Sequence, residues 1–125
     1  MKDEIILQKI LKYLAKVKRL YAAIEHLPLE DIDDRDESLA LTQCLTNIHS
    51  LVQHITNEEI TSKLIVFYSS NLNTCRNIAS HDYDSLNWFK VKELCRKLLD
   101  EKVSAVIKES LKIAVTAENN YKRYI

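Results

Sequence analysis

Apolar residues return every three or four positions along most of this chain. Ile6, Ile10, Tyr13/Leu14, Val17, Leu20/Tyr21 and Ile24 trace one face of a helix over about residues 3–26. Pro28 and the acidic stretch after it end that helix and form a connection. Asp34-Arg35-Asp36-Glu37 reads as a capping box, with the Asp oxygen accepting from the third amide and the Glu reaching back. A second helix follows on Leu41, Leu45, Ile48, Val52 and Ile55. Thr56-Asn57-Glu58-Glu59 repeats the cap signature and opens a third, on Ile60, Leu64, Phe67/Tyr68, Leu72, Cys75 and Ala79.

The stretch His81-Asp82-Tyr83-Asp84-Ser85 breaks the period and is rich in turn formers. Ser85 or Asn87 can cap a fourth helix carrying Trp88, Val91, Leu94/Cys95 and Leu98. Asp100 can cap a fifth, with Val103, Val106/Ile107 and Leu111, although no Gly or Pro marks the join and one bent helix fits as well. Residues 118–125 read as a polar tail. The expected architecture is all-α: an up-and-down bundle of four to five helices, in a single domain over residues 1–117.

Composition narrows the chemistry. The chain has 125 residues and no glycine, where average usage of about 7% would supply roughly nine. A Gly-rich phosphate loop, a dinucleotide fingerprint and a Walker motif are therefore excluded, and tight β-hairpins are disfavoured. No apolar run approaches the ~20 residues of a bilayer span. The acidic start, Met1-Lys2-Asp3-Glu4, enters a helical pattern at once and does not resemble a secretion signal. A cytoplasmic protein is expected, with Cys44, Cys75 and Cys95 as free thiols and, from their spacing, no metal site.

The formal net charge is zero, but residues 27–60 carry −7 while residues 1–26 carry +3. A globally basic nucleic-acid binder is excluded; a local basic cleft is not. The acidic residues between Glu30 and Glu37 read as a solvated loop. His49 and His54, five apart on helix two, read as ordinary helix residues, and His26 as a complement to a helix C-terminus.

One segment concentrates polar chemistry: Arg76-Asn77-Ile78-Ala79-Ser80-His81-Asp82-Tyr83. Five helical steps turn by about 500°, leaving Arg76 and His81 roughly 140° apart on a rigid helix. Should the helix loosen at His81, both side chains can reach one cleft. A histidine titrating near neutrality moves protons either way, and a guanidinium fork fits phosphate oxygens. Together they suit cleavage of a phosphodiester whose nucleophile is its own 2′-OH, a reaction that needs no metal. The alternative from the residues alone is structural: Arg76 pairs with Asp82 or Asp84, and His81 caps a helix.

Arg-Asn-x-x-x-His-Asp-Tyr at the end of a helix in a small all-α chain resembles the Arg-x4-His-x-Tyr signature of the HEPN superfamily. More narrowly, it resembles the HepT-type toxins paired with minimal nucleotidyltransferase (MNT) antitoxins, the type VII toxin–antitoxin systems. The likeness covers most of the chain: a long first helix, an acidic turn, a second helix, the motif, and a helix with Trp88 and Phe89 at its start. At helix two the chain has Thr46-Asn47-Ile48-His49 where such proteins often carry a Gly-Glu-Ala-like stretch.

The resemblance implies a homodimeric, metal-independent ribonuclease in which two motifs meet at one cleft. Arg76 and His81 would be catalytic, Asn77 and Asp82 would orient the imidazole or contact RNA, and Tyr83 would accept AMP from the antitoxin. The implied partners are RNA and the MNT nucleotidyltransferase, with no cofactor and no membrane. A second reading is a non-catalytic accessory subunit that presents its cleft to the nucleotidyltransferase.

Overall fold

The computed structural model describes residues 2–32, 35–68 and 87–123. These form five α-helices and one short 3-10 turn, with no strand among the described residues. The helices are α1 (Asp3–Ile24), α2 (Asp36–Gln53), α3 (Glu58–Tyr68), α4 (Trp88–Leu98) and α5 (Glu101–Arg123). The all-helical class expected from the periodicity is observed. Helix α1 packs against α2, α4 and α5, and α5 also packs against α3.

The apolar stripe of α1 is the centre of the core. Ile6, Leu7, Ile10, Leu14, Val17, Tyr21 and Ile24 are all buried, and each large aliphatic side chain removed from water contributes about 1.5–3 kcal/mol. Opposite them lie Leu41, Leu45 and Ile48 of α2, Val91, Leu94 and Leu98 of α4, and Val103 and Ile107 of α5.

Pro28 ends the first helix as expected. It takes up an extended backbone (φ −58°, ψ 148°) and leads into the 3-10 turn Leu29–Asp31. The acidic connection stays on the surface because a single apolar anchor holds it. Ile32 is fully buried, and its carbonyl accepts a 2.6 Å hydrogen bond from the buried Ser38 hydroxyl. Glu30, Asp31 and Asp36 remain exposed.

Two caps fall one residue later than the sequence pattern suggested. Helix α2 has Arg35 at its N-cap, with no side-chain capping bond; Asp34 lies outside the described residues. Helix α3 is capped by Asn57, whose Oδ1 accepts from the Ile60 amide at 3.1 Å. Thr56 is engaged elsewhere. Its amide donates to Asp3 Oδ1 at 2.9 Å, and the Asn57 amide donates to Asp3 Oδ2 at 2.8 Å. One carboxylate on the first turn of α1 thus holds the α2–α3 corner. Replacing Asp3 with Ala is expected to cost about 1–2 kcal/mol, measured by urea unfolding. A loss under ~0.5 kcal/mol, ordinary for a surface change, would contradict that role.

Helices α4 and α5 are separate, not one bent rod. Leu99 leaves helical geometry, and Asp100 Oδ1 accepts from the Lys102 amide at 2.8 Å, so Asp100 caps α5 as expected. Asn87 caps α4 through the Lys90 amide at 3.3 Å. Residues 118–123, polar as expected, continue α5 helically to Arg123.

Candidate functional site

Arg76, Asn77, His81, Asp82 and Tyr83 all lie outside the described residues. So do Cys75 and the expected turn 81–85. The described chain frames this stretch on both sides. The described residues on either side are those of α3, through Tyr68, and of α4, from its N-cap Asn87. The aromatic pair that opens α4 is divided: Trp88 is buried in the core, while Phe89 is 60% exposed.

Helix α4 is also fastened to the far end of α1. The Lys92 ammonium donates to the Glu25 carbonyl at 2.9 Å and the Leu27 carbonyl at 3.1 Å. Carbonyls at a helix C-terminus lack intrahelical donors, and a cation there also complements the dipole. Lys92 therefore fixes where α4 begins relative to α1. The sequence contained no signal for it, because the bond joins residues more than sixty positions apart.

The other polar candidates behave structurally. His49 Nε2 sits 3.2 Å from the Gln53 side-chain amide, and His54 is the exposed C-cap of α2. His26 is exposed just past the end of α1. Among the described residues no group of His, Cys, Asp or Glu is placed to hold a metal. Cys44 and Cys95 are buried thiols outside any disulfide. Burial pushes the Cys44 thiol above its ordinary value, partly opposed by the Lys16 and Arg19 charges, so it is not poised as a thiolate nucleophile.

A surface cleft of about 320 Å³ is lined by Lys2, Asp3, Thr56, Asn57 and Glu118, among others. Its charged groups face each other. Lys2 Nζ lies 2.7 Å from Glu118 Oε1, which holds the Lys2 ammonium above its ordinary value, and Asp3 serves the α2–α3 corner. The cleft is a clasp between the start of α1 and the later turns of α5, in which Lys2, Asp3 and Glu118 are already paired.

The outer face of α1 differs. Lys9, Lys12 and Arg19 are exposed and Lys16 is half-buried, and none belongs to an ion pair among the described residues. Their spacing was visible in the sequence. A net charge summed over residues 1–26 averages over the helix faces and hides it.

Among the described residues no helix is long and apolar enough to cross a membrane. No family model, no curated protein and no solved structure matches the chain.

Proposed function

We propose that this chain is a metal-independent RNA endonuclease of the HEPN type. It acts as a toxin, and an MNT nucleotidyltransferase silences it by placing AMP on Tyr83. The observation that carries the reading is the segment Arg76 to Tyr83, with its Arg-x4-His-x-Tyr spacing, in a chain whose described elements are all helical.

The chemistry follows from the residue types. The 2′-OH of the RNA attacks the adjacent phosphorus, and the bond to the 5′ oxygen breaks. His81 takes the proton of the 2′-OH and returns one to the departing 5′ oxygen, and Arg76 pairs with the phosphate oxygens as their charge grows. The absence of glycine supports a side-chain mechanism, since the chain has no backbone-amide cradle of the Gly-rich kind to offer a phosphate. Asn77 and Asp82 orient the imidazole or hold the RNA. Two copies of the up-and-down bundle bring two motifs to one cleft. AMP on Tyr83, two residues from His81, sets a bulky anion where the RNA phosphate would bind.

The zero net charge favours one rival, an accessory subunit that docks on the nucleotidyltransferase without cleaving RNA. Co-expression separates the two. Wild-type protein is expected to arrest growth when expressed alone. With the nucleotidyltransferase it gains the mass of one or more AMP units, mapped to Tyr83, and growth resumes. A protein that binds the nucleotidyltransferase but neither arrests growth nor cleaves RNA belongs to the rival class. AMP mapped to another residue would remove Tyr83 from the scheme.

A further inference from the structure

Lys9, Lys12, Lys16 and Arg19 follow one another at steps of three, four and three residues. At about 100° per residue all four fall within roughly 80° of the circumference of α1. The opposite side of the helix is the buried stripe of Ile6, Ile10, Val17 and Tyr21. From Ile5 to Ile24 the helix has no acidic residue. The ion pairs among the described residues lie elsewhere, at Lys2–Glu118, Lys63–Glu109 and Lys97–Glu93. The Lys16 ammonium stands 5.3 Å from the centroid of the Tyr13 ring, a contact that keeps its charge.

The neighbouring helix, α2, carries acidic residues only in its first turn, Asp36 and Glu37. Residues 38–57, which include most of α2, contain no Asp, Glu, Lys or Arg. The exposed Gln43, Asn47 and Ser50 follow at steps of four and three, on one face of α2. Helices α1 and α2 pack together.

A row of fixed positive charge bordered by amide and hydroxyl side chains is the set that contacts nucleic-acid backbone. Lys and Arg meet phosphates, while Asn, Gln and Ser reach phosphate and sugar. The stripe spans about 15 Å, and each of its four charges can neutralise one phosphate of a strand laid along it. A protein partner would be expected to find aromatic or aliphatic anchors at the centre of the surface, and a lipid surface would be met by a broad apolar face. The large apolar side chains exposed on these two helices, Ile5 and Leu39, lie near their beginnings, and packing by the α2–α3 corner against the start of α1 sets those two ends apart.

We infer that the outer face of α1, flanked by α2, binds the phosphate backbone of RNA without reading its sequence. The choice of RNA rests on the ribonuclease reading; the polyanion site rests on the stripe. The test is binding of a fluorescein-labelled single-stranded RNA by the full-length His81→Ala protein, with and without Lys9→Gln, Lys12→Gln, Lys16→Gln and Arg19→Gln together. Helical content and oligomeric state are checked to be equal. Four phosphate contacts at a salt slope of about 0.7 each give the unsubstituted stripe a contribution near 2.8, or roughly a 50-fold loss of affinity between 50 and 200 mM salt. The four substitutions are expected to remove that share of the slope and to weaken binding at low salt by at least tenfold, alike for unrelated RNA sequences.

Unchanged affinity and slope in the substituted protein would overturn the inference. So would tighter binding of phosphatidylserine vesicles or polyglutamate than of RNA. The two readings fail separately. Wild-type protein that binds RNA through the stripe but never cleaves it keeps the surface and loses the ribonuclease. A stripe variant that binds and cleaves RNA like wild type, while His81→Ala alone abolishes cleavage, does the reverse.

Discussion

The His81→Ala protein is expected to cleave RNA about 10²–10⁴-fold more slowly than wild type, the usual contribution of a positioned general acid–base. An imidazole is the side chain whose ordinary titration falls within the physiological range, and His81 is the histidine that matches the motif. The chain's other histidines, His26, His49 and His54, lie on α2 or at helix ends, outside the motif. The pH–rate profile should therefore lose its neutral limb in His81→Ala and keep it in variants of the other three. Arg76→Ala should fall as steeply, whereas Arg76→Lys should recover part of the rate, because the charge remains but the two-pronged fork does not. The double variant should be little worse than either single one, since groups that act as a unit are not additive. Equal rates for folded wild type and His81→Ala would reduce both residues to structural roles, with Arg76 paired to a local carboxylate.

The second large effect is on stability. Ile10→Ala is expected to cost 2–5 kcal/mol, in the range of about that size for deleting a buried aliphatic side chain. Ile10 is 0% exposed and lies midway along α1, the helix that meets α2, α4 and α5. A void there has core on every side and little room to collapse. Ile10→Val should cost only about 0.5–1.5 kcal/mol. Ile5→Ala, on the same helix but 42% exposed, should stay within about 0.5 kcal/mol. Urea titration should show a lower midpoint for Ile10→Ala with an unchanged slope. Similar losses at Ile5 and Ile10 would contradict core packing as the source of the difference, since Ala has the higher helix propensity and an exposed Ile→Ala change removes little packing.

The elements that local periodicity controls were legible in the sequence. The face of α1 from Ile6 to Ile24 is the face the core uses, and Pro28 ends the helix for the reason given by its ring. Asn87 and Asp100 cap where adjacent hydrophobic runs required a start. The misplaced cap at α3 shows where local reading stops. Thr56 and Asn57 are both able caps, and the choice between them is made by Asp3, fifty-three positions before Thr56, whose carboxylate accepts from the Thr56 hydroxyl and leaves Asn57 Oδ1 to cap. Lys92 on the α1 carbonyls is decided in the same non-local way. The polar end of α5 looked like a tail because no hydrophobic run marks it, yet its helix continues to Arg123, with Glu118 held by Lys2 on the way.

The candidate site was legible as residue types and spacing, and no further. On an ideal helix Arg76 and His81 stand on different sides, so the convergence that the proposed ribonuclease needs would depend on how the chain leaves such a helix and on the proposed second copy. Neither is written in a local pattern. The basic stripe was the opposite case, since its steps of three, four and three are local and fully visible. Its meaning needed the structure, which packs α1 against α2, a helix without charge from Ser38 to Gln53.

The most direct test of the ribonuclease reading is incubation of the purified wild-type protein, alone, with RNA in excess EDTA, beside an equally folded His81→Ala protein. Cleavage by the wild type that EDTA leaves intact and that the substitution abolishes is the expected result. No cleavage by the folded wild type, or cleavage that requires added metal, would contradict it.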